Sequence, residues 1–377
     1  MKALSLFANI GVAEAYLDDI GINVVLANEI DKKRAEVYKN IYPNCEMICG
    51  DITDDKIIDT LSKKAIELNI DIIMATPPCQ GMSTAGKQNK FDIRNNLIYY
   101  AVQIIKNVKP RYVMLENVPM QLNTKIFYNR EMILIPNYLI SELNELYHFE
   151  NSIINTANFG VPQIRNRAVF VLTRKDEGHI WALPKKEQYV KTLYDAIGHL
   201  PPLDPLIYDI DYNEHLKIFP NYEKNKRLAL SISKWHIPPC HIYRQVKVML
   251  STPTGQSAFN NSNPNNRPKN KNGDLVKGYK NTYKRQSWDM PAYTITMYNR
   301  TISSQNNVHP GRPLEIDKNG EILYSDPRVL TIYELMLAMS LPTNWNIPNN
   351  VSEHFIRSVI GEGIPPLFIK KLFSQII

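Results

Sequence analysis

The residues best placed to do chemistry are a cysteine, a glutamate and two arginines. Cys79 follows Pro77 and Pro78, which forbid a helix and stiffen the backbone just past the apolar run Ile70-Asp71-Ile72-Ile73-Met74. A thiol just beyond the carboxyl end of a buried strand stands where reacting groups collect in open α/β sheets. A free cysteine is also, often enough, only a small buried hydrophobe. Glu116 ends a second such strand, Tyr112–Leu115. Its negative charge would raise the pKa of a neighbouring thiol, so the acid makes sense acting on a substrate rather than on Cys79. In Gln163-Ile164-Arg165-Asn166-Arg167 the two guanidiniums lie two residues apart, on one face of an extended segment. They suit a phosphate, or an oxygen that gains charge during a reaction, and would equally suit a solvated strand edge.

Three further signals fall at strand ends. Ala8-Asn9-Ile10-Gly11 follows the first apolar run, where backbone N–H groups can receive an anionic cofactor. Glu29 ends the second run about twenty residues later, the place where an acid holds ribose hydroxyls. Asp51 follows the third and suits the edge of an adenine. Together they point to a nucleoside cofactor, although each acid alone would pass for a surface charge.

The elements that position these residues alternate as βαβ units do. Strands are expected at Ala3–Phe7, Asn23–Ala27, Met47–Cys49, Ile70–Ala75 and Tyr112–Leu115, with two more at Ile153–Asn155 and Ala168–Thr173. A helix is expected from about Val12 to Ile20, another after Asp31, and the whole reads as a doubly wound sheet. From about Trp181 prolines cluster and helical periodicity fades. Phe259 to Gly273 contains seven asparagines and reads as an exposed loop. Regular structure resumes at Ala292–Thr296, at a helix from about Ile332 to Leu341, and at a last helix after Pro365-Pro366.

At 377 residues the chain can bury a large core, and 44% hydrophobic with 21% charged residues is ordinary for a soluble globular protein. No apolar run reaches membrane-spanning length, and the start lacks a signal-peptide pattern, so a cytoplasmic protein with no membrane partner is expected. Four cysteines argue against a disulfide framework, and Cys45 with Cys49 lacks a partner pair, so no metal site is expected. Net charge is 44 − 37 = +7. Asn221 to Arg285 holds thirteen Lys/Arg against Glu223 and Asp274, which gives that segment +11 and the remainder −4. Such a concentration is the footprint of a polyanion partner, or else a solvated basic face.

Taken together and in order, these stretches resemble the DNA cytosine-5 methyltransferases. Phe7-Ala8-Asn9-Ile10-Gly11 is similar to that family's cofactor loop, and Glu29-Ile30 and Asp51-Ile52 to its ribose and adenine contacts. Pro78-Cys79-Gln80 resembles the nucleophile motif, Asp92 to Leu97 the segment behind it, and Glu116-Asn117-Val118 the acid motif. Gln163, Arg165 and Arg167 match the double-arginine motif. Arg328 to Thr331 with Glu334, Leu341-Pro342, and Gly361-Glu362-Gly363-Ile364-Pro365-Pro366 match the closing motifs. The resemblance covers nearly the whole chain except about Asp204 to Arg285. Three departures stand out: Asn9 for a glycine, Met82 for a phenylalanine, and Glu362 for an asparagine.

The resemblance implies an α/β fold: a doubly wound, Rossmann-like, S-adenosylmethionine-dependent methyltransferase sheet with a smaller, mostly irregular or β target-recognition domain. The expected division is 1–185 for catalysis and cofactor binding, 186–325 for target recognition, and 326–377 returning to the catalytic domain. The implied activity is methyl transfer from S-adenosylmethionine, leaving S-adenosylhomocysteine, to carbon 5 of a flipped-out cytosine in duplex DNA. The implied catalytic residues are Cys79 as nucleophile, Glu116 as acid, and Arg165 with Arg167 on the base's carbonyl oxygen. Cofactor contacts would come from Phe7, Ala8, Asn9, Ile10, Gly11, Glu29, Ile30, Asp51, Ile52, Pro78, Leu97, Glu362 and Ile364. DNA contacts would come from Gln80, Ser83 and Lys87 on a closing loop, and from Gln163, Arg244, Lys280, Lys284 and Arg285. A monomer serving a restriction–modification system is expected, its cognate restriction endonuclease not needed for activity. Two alternatives remain: the RNA-directed branch, which methylates transfer RNA, and a catalytically dead DNA-binding homologue.

Overall fold

A computed structural model describes residues 1–78, 96–318 and 320–377. Cys79, Gln80, Ser83 and Lys87, with the rest of the expected closing loop, lie outside the described residues. The first half builds a seven-stranded sheet from β1 (Lys2–Leu6), β2 (Asn23–Glu29), β3 (Glu46–Cys49), β4 (Ile72–Ala75), β5 (Tyr112–Asn117), β8 (Tyr147–Asn155) and β9 (Asn166–Arg174). A separate hairpin of β6 (Lys125–Tyr128) and β7 (Glu131–Leu134) intervenes. The sheet runs β3-β2-β1-β4-β5-β9-β8, parallel except for β9, which pairs antiparallel with both β5 and β8. The order reverses between β1 and β4, the switch point beside which open α/β sheets bind ligands.

Helices α1 (Lys32–Ile41), α2 (Asp55–Glu67), α3 (Leu97–Val108) and α4 (Ile135–Leu143) supply connections. Asp31 and Asp54 start α1 and α2 by accepting from the backbone N–H of Arg34 and Lys56. No helix forms over Val12–Leu17. The expected amphipathic pattern is there, but Leu17 N–H closes on the Glu14 carbonyl three residues back, and only a 3₁₀ turn, Asp18–Ile20, follows. One reason is visible in the packing: the Glu14 carboxyl is drawn inward to the Ser5 hydroxyl, 2.6 Å away.

The segment expected to be mostly irregular or β holds helices α5 (Leu193–Ile197), α6 (Tyr212–Ile218), α7 (Tyr222–Ile232) and α8 (Tyr243–Leu250). Its strands are short: β10 (Leu206–Ile207) with β11 (Cys240–His241), and β12 (Pro313–Ile316) with β13 (Ile322–Tyr324). The helices were hidden because each buries only a few residues, such as His215 on α6 and Ala229 on α7. Ile207, Phe219, Tyr222, Val246, Met249, Tyr283 and Val308 give this region its own core. Ala292–Thr296 is not a strand; Ala292 makes a single bridge to Gln163.

The chain then returns through α9 (Ile332–Ala338), α10 (Glu353–Glu362) and α11 (Pro366–Phe373). Thr331 and Glu334 cap α9 reciprocally. Leu335, Met336, Val359 and Ile360 pack with Ile10 and Val12, so the late helices cover the first loop. Phe368, Ile369 and Leu372 pack with Leu17 and Ile22. Arg328, fully buried, donates to Asp326 at 2.7 Å and to both oxygens of Glu334 at 2.7 and 2.9 Å. It also donates to the Leu203 carbonyl at 2.6 Å, which ties α9 to the start of the preceding region.

Candidate active site

The parallel pairing of β1, β2, β3 and β4 brings their carboxyl ends to one edge. Phe7 and Asn9 adopt positive φ, 59° and 51°, and Gly11 has φ 83°, so the loop after β1 coils tightly against the strand ends. Asn9 N–H donates to Glu29 Oε2 at 2.8 Å and Asp31 N–H to Glu29 Oε1 at 2.9 Å. Burial pushes the Glu29 carboxyl up from its ordinary range, while those N–H groups and the nearby Arg34 charge oppose the shift. Ile30, beside it, is 63% exposed, an apolar platform flanked by acids. Asp51 is exposed one strand further along, and Ile52 is buried beneath it. An exposed hydrophobe next to a held acid, with a second exposed acid at the neighbouring strand end, is an arrangement that could take the ribose and base of a nucleoside. Asn9 Oδ1, buried without a partner among the described residues, leaves one acceptor of the loop unsatisfied.

Ala8, Ile10 and Ile364 are buried, so they would shape the cleft by packing rather than by presenting polar groups. Pro78 is exposed, and Phe7 and Leu97 are half-buried. Pro77 is fixed from β5: Asn117 Nδ2 donates to its carbonyl at 3.1 Å. Asn117 is thus a holder of the segment leading to Cys79, and the sequence reading gave it no role of its own.

Glu116 is 7% exposed at the end of β5, next to β4 in the sheet. Arg167, at the start of β9, places Nε 2.6 Å from Glu116 Oε1. Burial pushes the Glu116 carboxyl up, and Arg167 and Arg165 pull the other way without cancelling the rise. The site therefore favours a carboxyl that holds its proton more readily than an ordinary glutamate, beside a fixed cation.

The two arginines have different jobs. Arg165 is 2% exposed and donates to the carbonyls of Ile295, Gly361 and Glu362 at 2.8, 2.9 and 3.0 Å. These bonds clamp the later segments onto β9, while Arg167 forms the ion pair with the acid. Alternation along an extended chain does not separate two arginines of equal parity; the backbone each meets does. Gln163 is fully buried, accepting from Ile295 N–H at 3.3 Å and donating to Met339 Sδ at 3.0 Å. Arg285 is fully buried and donates to the carbonyls of His309, Asp326 and Met249. Both were expected on the DNA side; here both side chains are buried and bonded to interior groups. Arg244 donates to the Lys269 carbonyl at 2.5 Å and Lys284 to the Tyr293 hydroxyl at 2.9 Å, both half-buried, whereas Lys280 is exposed.

One partnership was invisible in sequence. Arg34 on α1 forks onto Glu362 at the end of α10, Nη1 to Oε2 at 2.9 Å and Nη2 to Oε1 at 3.1 Å. Nothing in the local pattern joins residues so far apart. Among the described residues no cluster of three or more His, Cys, Asp or Glu could hold a metal ion, and no helix is long and apolar enough to cross a membrane.

Solved structures with the same architecture include a candidate DNA modification methyltransferase encoded within an E. coli prophage, at TM-score 0.67 and 18% identity, covering 100% of this chain and 98% of that one. Spodoptera frugiperda DNMT2 follows at TM-score 0.60 and 16% identity, covering 99% and 98%. Sheet order and shared architecture thus define the class, a doubly wound methyltransferase fold. A family profile described as C-5 cytosine-specific DNA methylase matches residues 1–377. The Type II methyltransferase M1.HgaI of Avibacterium volantium is 42% identical over 100% of this chain and 98% of its own length. M.DdeI of Desulfomicrobium norvegicum is 26% identical over 100% and 88%. The chain belongs to the C-5 cytosine-specific DNA methylase family, and its activity is that of a DNA cytosine-5 methyltransferase.

Proposed function

We propose that the protein methylates carbon 5 of a flipped-out cytosine in a specific duplex sequence as the modification enzyme of a restriction–modification system. Cys79 would be the nucleophile, Glu116 the acid, and residues 186–325 the target-recognition domain. The observation that carries the reading is the buried Glu116–Arg167 pair, 2.6 Å apart, at the strand end beside Pro77 and Pro78. The family and the Type II relatives support it.

Carbon 5 of cytosine is a poor nucleophile until the ring is activated. The Cys79 thiolate adds to carbon 6, forming a sulfur–carbon bond while the ring's electrons move toward N3. Glu116, its carboxyl pushed up by burial, delivers a proton to N3, and this makes carbon 5 an enamine terminus. Arg167 holds Glu116 in place and offers positive charge beside the base's carbonyl oxygen. S-adenosylmethionine, held by the 7–11 loop, Glu29-Ile30 and Asp51-Ile52, supplies the electrophilic methyl group. After transfer a base removes the carbon-5 proton, the carbon–sulfur bond breaks to release the thiolate, and Glu116 recovers its proton from N3.

The exposed Lys224, Arg227, Lys247, Lys271, Lys277 and Lys280 supply phosphate contacts on the recognition side. A duplex carrying 5-fluorocytosine at the target tests the reading, because fluorine cannot be removed as a cation in place of the carbon-5 proton, and the adduct is trapped. Expected is a covalent complex, formed only with donor present, whose mass maps to Cys79. Adduct at another residue, or transfer to transfer RNA in place of duplex DNA, would overturn it.

A further inference from the structure

Two residues far apart in the sequence, Asn9 and Glu362, meet in space. Asn9 Nδ2 donates to Glu362 Oε2 at 3.2 Å, and the Arg34 fork takes both oxygens of the same carboxylate. Ser358 Oγ adds a fourth donor at 3.3 Å to Oε1. Arg34 and Glu362 keep 28% and 24% of their side chains exposed, so the pair is partly open to solvent rather than in the core. The same Asn9 donates its backbone N–H to Glu29, so one residue bridges the Glu362 carboxylate and the ribose acid. Glu362 cannot swing away as a unit. Arg165 holds its carbonyl and that of Gly361, and Gly363 lies so close to Val12 that an added Cβ would meet Val12 at 2.5 Å.

We propose that Arg34 and Glu362, joined through Asn9, are positioning residues whose mutual compensation keeps this side of the cofactor site neutral, so that neither charge biases its preference between the cationic methyl donor and its neutral product. The proposal rests on the cofactor reading of that cleft. S-adenosylmethionine carries a carboxylate, an ammonium and a sulfonium, net +1, whereas S-adenosylhomocysteine has lost the sulfonium charge and is neutral. A compensated Arg34–Glu362 pair adds no net field. Removing one partner leaves a unit charge beside the cleft, and its sign decides which ligand gains.

The test is calorimetric binding of both ligands to the full chain at low salt, compared as the ratio of their dissociation constants. With Arg34→Met the bare Glu362 carboxylate should shift the ratio about threefold toward the donor, a unit charge acting through largely aqueous surroundings. Glu362→Gln should shift it a similar amount toward the product, the double variant should return near the wild-type ratio, and Glu362→Asp, which keeps the charge, should leave it unchanged. Equal weakening of both ligands in both single variants would show a purely structural clasp and overturn the proposal. Wild-type chain that binds neither ligand would overturn the cleft assignment itself, and the clasp with it.

Discussion

Glu14 offers a perturbation whose size can be worked from the structure. It is 4% exposed in the turn that follows the cofactor loop, with Ser5 Oγ donating to it at 2.6 Å as its main compensation. Burial outweighs that hydrogen bond and pushes the carboxyl from 4.5 to about 7. Between those values the unfolded chain has released a proton that the folded chain still holds. Stability must therefore fall as pH rises through this window, and the loss is complete above it. The span corresponds to about 3 kcal/mol. Glu14→Gln removes the titration while keeping an acceptor for Ser5. Urea unfolding of both proteins at pH 5, 6, 7 and 8 reads the effect as a difference, so that shared titrations, including Asp204 pushed up to about 6, cancel. The variant should gain on the wild type by about 2–3 kcal/mol between pH 5 and pH 8. A difference that stays flat across the range would refute the assignment of a protonated, buried Glu14.

Other expectations separate holding from reacting. Arg165→Met should cost about 3–5 kcal/mol in urea unfolding, because three buried carbonyls lose a charged donor. Arg167→Met should instead reduce methyl transfer by about 10²–10³-fold. An exchange of those two phenotypes would reverse the roles argued above. Cys79→Ser should abolish methyl transfer yet leave duplex binding near wild type in a gel-shift titration, and near-normal turnover would remove the cysteine from the reaction. Replacing Lys271, Lys277 and Lys280 by glutamine should weaken binding to all sequences alike and lower the salt slope by about 2–3. An unchanged slope would place those lysines away from phosphate.

The sheet was legible because its strands are short apolar runs, and each run survives as a strand with bounds moved by up to six residues. The strand-end residues followed, since parallel pairing fixes where they go. Three things were not legible. Val12–Leu17 has helical spacing but is turned by a buried carboxyl, and burial of one acid leaves no periodic trace. The helices at Tyr212–Ile218, Tyr222–Ile232 and Tyr243–Leu250 are short and are separated by Pro220 and by Pro238-Pro239, so they pass for irregular chain. Gln163, Arg165 and Arg285 look like surface chemistry by residue type, yet each satisfies interior carbonyls or amides that only the folded backbone supplies.

The late helices close what the first strands begin. Gly363 lies on Val12, Lys370 pairs with Asp19 at 2.8 Å, and Trp181 donates to the Leu372 carbonyl at 2.9 Å. The loop made first thus stays uncovered during synthesis until residues 353–373 have emerged. A nascent chain with every strand of the sheet in place would still leave Ile10 and Val12 open to water, where they invite non-native contacts.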